Sequence, residues 1–313
     1  MKLFNKIVAG TAITAALLTS CTKNFEELNT DPNSVSVSNY PAVYNLTRAQ
    51  LEYTGNSDFS YEVWRVNIIY CGMMMQQLAN ASWYAGDKYI QNDAWANSYF
   101  EVAYRDQVKY IVDLLAITGD NPNYANLHQI ARIMKVMIFH RITDIYGETP
   151  YTEAGLGYYD RIFTPKYDTQ KDIYENMLQE LDAAAQALDP AKDKPGTGDL
   201  IFRGHANTIS LWKKLAYSMM IRLGMRMTKV DANAAKTWVE KGYAGGPMSS
   251  NADNAYILHD ATGGRNTVNR NSNILAGEWN ATGNGEVFLS RTFVNFLKNN
   301  NDPRLPFMSK VKS

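Results

Sequence analysis

Cysteine and histidine are scarce in this chain of 313 residues: two cysteines, Cys21 and Cys71, and four histidines. No CxxC pair, HExxH motif or Cys/His cluster occurs, so a zinc site is not expected. Two cysteines cannot build a disulfide framework. Net charge is also lacking, since 31 basic residues balance 31 acidic ones. The chain therefore has no electrostatic pull toward nucleic acid. Apolar runs are short. The longest lead, residues 7–18, is about a dozen residues, too short to span a bilayer. No serine elbow and no Cys–His signature marks a nucleophile. Catalytic residues, metal ligands and cofactors are accordingly expected to be none.

What is present starts with that short run. Lys2 and Lys6 precede it, and Leu18-Thr19-Ser20-Cys21 follows. A positive start, an apolar stretch and an aliphatic-small-small-Cys box together read as a lipoprotein signal peptide over residues 1–20. Cys21 is then the expected lipid anchor. Residues 21–39 are polar, carry the turn Asp31-Pro32-Asn33 and read as a tether. Cys71, a lone thiol in an apolar stretch, is expected to be a buried small hydrophobe.

Residues 40–313 read as one large helical body. Its centre is the stretch 126–154. There Leu127, Ile130, Ala131, Met134, Met137, Ile138, Ile142 and Ile145 recur at three- and four-residue steps, which is the apolar stripe of a long helix. Gly147 supplies a stop and Pro150 prevents resumption. Similar stripes predict helices over 41–54, 61–80, 94–117, 169–188 with Asp168 as cap, 207–228, 231–240 with Asp231 as cap, and 286–298. Met73, Met74 and Met75 are expected to fill core gaps. Consecutive amphipathic helices that cannot bury their faces alone predict an all-α, TPR-like stack of helical hairpins. The period is irregular and no full W-x-x-L-G-x-x-Y pattern appears. From about residue 242 the chain turns rich in Gly, Asn and Thr, which predicts long ordered loops; such loops are usually functional.

Two stretches are not explained by helix packing. Residues 80–97 set Trp83, Tyr84, Tyr89 and Trp95 among Gly, Asn and Asp, and Trp279 lies in the loop-rich region. A glycine-tyrosine loop at 155–166 contains G-L-G-Y-Y-D. It lacks the third glycine and preceding strand of a dinucleotide fingerprint.

Several of these residues in combination resemble the SusD/RagB family of nutrient-binding outer-membrane lipoproteins. The features are the box at Cys21, Asn29-Thr30-Asp31-Pro32-Asn33, the run from Asp144-Ile145-Tyr146-Gly147 through Pro150-Tyr151-Thr152-Glu153-Ala154, the Tyr-x-x-Met-Leu spacing from Tyr174, and Asp302-Pro303-Arg304-Leu305. The resemblance runs along the whole chain. Family members usually continue well beyond this length, so the C-terminal part is expected to be missing. The resemblance implies a TPR-like scaffold with long irregular ligand-binding loops and an outer-membrane address through the lipid anchor. It also implies a TonB-dependent, SusC-like transporter as partner and a glycan as ligand, less often a peptide.

Sugar chemistry suits the loop residues. Flat rings match the C–H face of a sugar, and amides, carboxylates and guanidinium groups match its hydroxyls. Trp83, Tyr84, Trp95 and Trp279 are the candidate rings, with Asn92, Asp93, Asn280 and Arg65 as polar partners. Trp95 opens a helix, and the alternative reading for it is packing on the body. Two other classes are open: a peptide-binding or interaction scaffold, and a glycoside hydrolase with two carboxylates. Aromatics clustered in irregular loops favour sugar. An open groove along the helices favours peptide, and a buried carboxylate pair in a cleft favours hydrolysis.

Overall fold

The central helix, Ala125–Tyr146, is buried on nearly every side. Besides the expected stripe, Ile133, Val136, Phe139, His140 and Thr143 are covered. Five other α-helices pack on it, which explains why both of its faces are closed. Each large apolar side chain so enclosed contributes about 1.5–3 kcal/mol.

The computed structural model describes residues 40–55, 62–80, 86–259 and 287–308. The chain divides into two units, Met1–Pro41 and Ala42–Ser313, and all of its described helices and strands belong to the second. They are α1 (Val43–Thr54), a wide helix with i→i+5 bonding (Glu62–Met73), β1 (Leu78–Asn80), α2 (Asp93–Ala103), α3 (Lys109–Thr118), α4 (Ala125–Tyr146), α5 (Gln170–Ala187), α6 (Thr208–Arg226), α7 (Ala232–Ala244), β2 (Val287–Leu289), α8 (Arg291–Asn299) and α9 (Leu305–Met308). A five-residue wide turn, Tyr104–Val108, joins α2 to α3. From α3 to α7 each helix packs on the next. That is the TPR-like logic of neighbouring hairpins sharing one core.

The local chemistry explains the ends. Asn92 caps α2 by accepting from Trp95 N, and Asp231 caps α7 by accepting from Ala234 N. For α5 the cap is Thr169, whose hydroxyl accepts from Asp172 N. Asp168, the expected cap, instead accepts from Tyr151 N and Thr152 N and closes the preceding loop. Gly147 stops α4 at φ 77° and ψ −119°, a region open essentially to glycine alone.

Four expectations are corrected. The segment predicted as helix 61–80 is wound wide and ends at Met73, after which Leu78–Asn80 forms a strand. Wider winding turns less per residue, so Cys71 leaves the face of Ile68 and is exposed. Of the three methionines, Met73 is buried but Met75 is 71 % exposed. The segment expected to open a helix at 286 first forms β2, and its helix starts at Arg291.

Candidate functional site

The two short strands bring distant parts of the sequence together. They pair antiparallel, with Leu78 opposite Leu289, Ala79 opposite Phe288 and Asn80 opposite Val287. Ser290 fastens the pair: its N–H donates to Gln77 O at 3.0 Å, and its hydroxyl donates to Gln76 O. Val287 sits with Ile68, Ile69 and Met73 in a small second core, against which Tyr70, Leu78 and Trp95 pack.

Around this core the chain is tightly placed. Gly86 presses on the wide helix, where a Cβ would stand 2.0 Å from Ile69 O; no other residue fits without moving the backbone. Asp87 Oδ2 accepts from Asn80 N at 3.2 Å. Tyr89 has φ 55° and its hydroxyl donates to Met74 O at 2.8 Å, yet the residue is 61 % exposed. Tyr70 donates to Asn92 O at 2.9 Å.

Four of the sequence-predicted contact residues meet here. The Arg65 guanidinium lies 5.5 Å from the centre of the Trp95 ring. Trp95 packs on the second core. Asn92 spends its side-chain oxygen on the helix cap at 3.1 Å. Asp93 is exposed and accepts from Gln91 Nε2 at 2.6 Å. Trp83, Tyr84, Trp279 and Asn280, like the anchor Cys21, lie outside the described residues. Tyr89 is the described aromatic that the choice of contact residues passed over. Its setting between Asp87, Lys88 and Gln91 was the available signal.

A separate cleft of about 740 Å³ opens where α4 and α6 end and α5 and α7 begin. Its lining includes Asp144, Gln170, Tyr174, Glu175, Arg226 and Asp231. Asp144 is its hub. The carboxylate lies 2.9 Å from His140 Nε2 and 2.9 Å from the Arg226 guanidinium, and it accepts from the Tyr174 hydroxyl. Arg226 Nε in turn donates to Tyr174 Oη at 3.1 Å. Burial alone would raise the Asp144 carboxyl. His140, Tyr174 and Arg226 outweigh it and hold the group below the usual carboxylate range. Burial and Asp144 push the Tyr174 hydroxyl well above its ordinary value. A carboxylate held ionised in this way is the opposite of a general acid. Of the two other carboxylates lining the cleft, Glu175 is half exposed and pairs with Lys171 at 3.6 Å, and Asp231 caps α7.

The architecture is thus a TPR-like helical scaffold with irregular segments gathered by a two-stranded clasp. Residues 13–313 match the SusD-like family, described as starch-binding associating with outer membrane, and the chain belongs to that family. Among solved structures, a chitin-binding protein is 33 % identical with a TM-score of 0.71, the match covering 85 % of this chain and 54 % of the other. A Bacteroidetes SusD-like protein is 28 % identical, with a TM-score of 0.73 over 85 % of this chain and 50 % of the other. A SusD homologue from Parabacteroides distasonis is 25 % identical, with a TM-score of 0.61 over 76 % and 45 %. The chain spans about half the length of these solved structures. No curated protein matches it.

Proposed function

We propose that this protein captures a glycan, as oligo- or polysaccharide, at the outer membrane without chemically altering it. One observation carries the reading beyond family membership. The register sets Asn80 beside Val287. Trp83 and Tyr84 follow Asn80 by three and four residues, and Trp279 and Asn280 precede Val287 by eight and seven. Both aromatic stretches therefore start from one clasp, beside Arg65, Asn92, Asp93 and Trp95. In this reading the rings meet the sugar face and the polar groups its hydroxyls. The family description names starch, and the chitin-binding relative names a second neutral polymer of pyranose rings.

The captured glycan is passed to a TonB-dependent, SusC-like transporter in this reading. Residues 1–20 direct export, Cys21 carries the lipid, and residues 21–39 tether the body at the cell surface. The test is affinity electrophoresis of the full chain in detergent through gels with soluble starch or glycol chitin. Trp83→Ala and Trp279→Ala should abolish retardation with little change in melting temperature. If both variants bind as the parent does, the site is elsewhere. The cleft at Asp144 favours a second reading, an extended peptide lying across the helix ends. Calorimetric binding of a peptide library that is lost in Arg226→Ala and retained in Trp83→Ala would select it.

A further inference from the structure

The loop between α4 and α5 is tied shut at its base and shows its rings to solvent. Thr149 and Asp168 exchange backbone hydrogen bonds at 3.0 and 3.3 Å. The Asp168 carboxylate accepts from Tyr151 N and Thr152 N at 3.0 and 2.8 Å, and Glu153 Oε2 accepts from Lys166 N at 2.9 Å. Gly155 abuts Val112, where a Cβ would stand 2.9 Å from the valine side chain. Tyr159 donates to Asp113 Oδ1 at 3.1 Å, which pins the loop to α3. Burial and Asp113 push the Tyr159 hydroxyl up to about 12, so the donor stays protonated at any physiological pH.

On this fixed frame Tyr158 is 86 % exposed, Phe163 80 % and Tyr167 61 %. Phe163 rests against Gly157: a Cβ on that glycine would lie 3.5 Å from the ring. A bare glycine seats one side of the ring and leaves the rest to solvent. Tyr158 stands edge-on to Tyr159 with ring centres 5.1 Å apart. Asp160 and Arg161, both exposed, sit between the two exposed rings in sequence. Folding gains nothing from holding large apolar rings in water, and such surfaces mark binding sites.

We infer that Tyr158 and Phe163, neighbours across Gly157, form a second carbohydrate-contact surface, which holds a neutral polysaccharide at a point separate from the clasp of β1 and β2. The inference rests on the glycan reading given above. Rings on a pinned loop suit the C–H face of a pyranose, and the exposed Asp160 and Arg161, which lie between them in sequence, carry a carboxylate and a guanidinium suited to its hydroxyls. Preorganisation spares the entropy of ordering the rings on contact. Asp160 and Arg161 cancel in charge, so nothing in that pair steers a charged partner. The area also favours a thin chain over a protein. The Tyr158 and Phe163 rings offer on the order of 300 Å², against the ~800 Å² per partner of a standard protein interface.

The test compares the full chain with Tyr158→Ala/Phe163→Ala in detergent solution, using soluble starch, glycol chitin and their trisaccharides. The expected result is a roughly tenfold loss of polymer affinity with trisaccharide binding unchanged. Tyr158→Phe/Phe163→Tyr, which keeps both rings, should restore polymer affinity. Unchanged melting of the alanine variant confirms that the fold is intact. Polymer affinity unaltered in that variant overturns the second surface and leaves the glycan reading standing. Parent protein that binds none of the four carbohydrates overturns both.

Discussion

Two buried carboxylates show how single side chains fix this scaffold. Asp199 is fully buried and accepts from Trp212 Nε1 at 2.7 Å, Gln50 Nε2 at 2.9 Å and Ile201 N at 3.0 Å. It therefore ties α1, the loop before α6 and α6 itself together. Asp199→Ala leaves those donors unsatisfied, and each such group costs about 1–3 kcal/mol. Denaturant unfolding should show a loss of roughly 3 kcal/mol or more; a loss under 1 kcal/mol would show that water replaces the carboxylate there. Asp253 works differently. It accepts from Lys214 Nζ at 2.7 Å and from Ser249 N and Ser250 N at 2.9 and 3.2 Å. The Lys214 bond first, then the Ser249 amide, bring its carboxyl down to about 2 from 3.8. Its folded pKa is depressed, so its contribution is complete above the unfolded value and disappears as pH falls from about 4 toward 2. Melting curves of the parent and Asp253→Asn should therefore differ at pH 6 and converge near pH 2. A gap that persists at pH 2 would refute the electrostatic account.

At the scale of elements, the helices were legible and the clasp was not. A stripe such as Leu127, Ile130, Met134 and Ile138 is a strong signal over six turns. It could not reveal that Ile133, Val136 and Phe139 would be covered too, because that depends on which helices lie on the far side. The wide helix broke the assumption of 3.6 residues per turn, and Cys71 was misplaced with it. Strands of three residues hold too few alternations to register as a period, so the pairing of Asn80 with Val287 was invisible in sequence. Trp83, Tyr84 and Trp279 were chosen on residue type and their place in stretches that helix packing does not explain. Gly147 is the opposite case: its stop signal was plain, and the structure supplies the backbone reason. A Cβ there would meet nothing within 4 Å, so Gly147→Ala adds no clash and tests the backbone conformation alone. The expected cost is about 1–3 kcal/mol, read from denaturant midpoints. No change would mean that α4 ends without needing that conformation. The clasp has its own test. Val287→Asp puts a charge into the core shared with Ile68, Ile69 and Met73. Helical circular dichroism should survive while starch retardation is lost; retained retardation would separate the glycan site from the strand pair.

For the whole molecule the decisive question is what holds it at a membrane. Among the described residues, no helix is long and apolar enough to cross a bilayer. Residues 1–39 lie outside those described, so the reading of Leu18-Thr19-Ser20-Cys21 rests on sequence chemistry. A single acyl chain, at about 0.8 kcal/mol per buried methylene, binds membranes marginally; two or more bind them stably. Under the proposed anchor, a multiply acylated Cys21 would give firm retention without a spanning helix among the described residues. The eighteen residues 22–39, if fully extended, would reach at most about 65 Å. Cys21→Ala removes the sulfur that the proposed anchor would acylate and keeps everything else. When cells expressing the parent and the variant are fractionated, the parent should pellet with the outer membrane and resist a salt wash, and the variant should leave the pellet. If the variant stays in the salt-washed membrane fraction, lipid anchoring is wrong and some other surface of the body must hold it there.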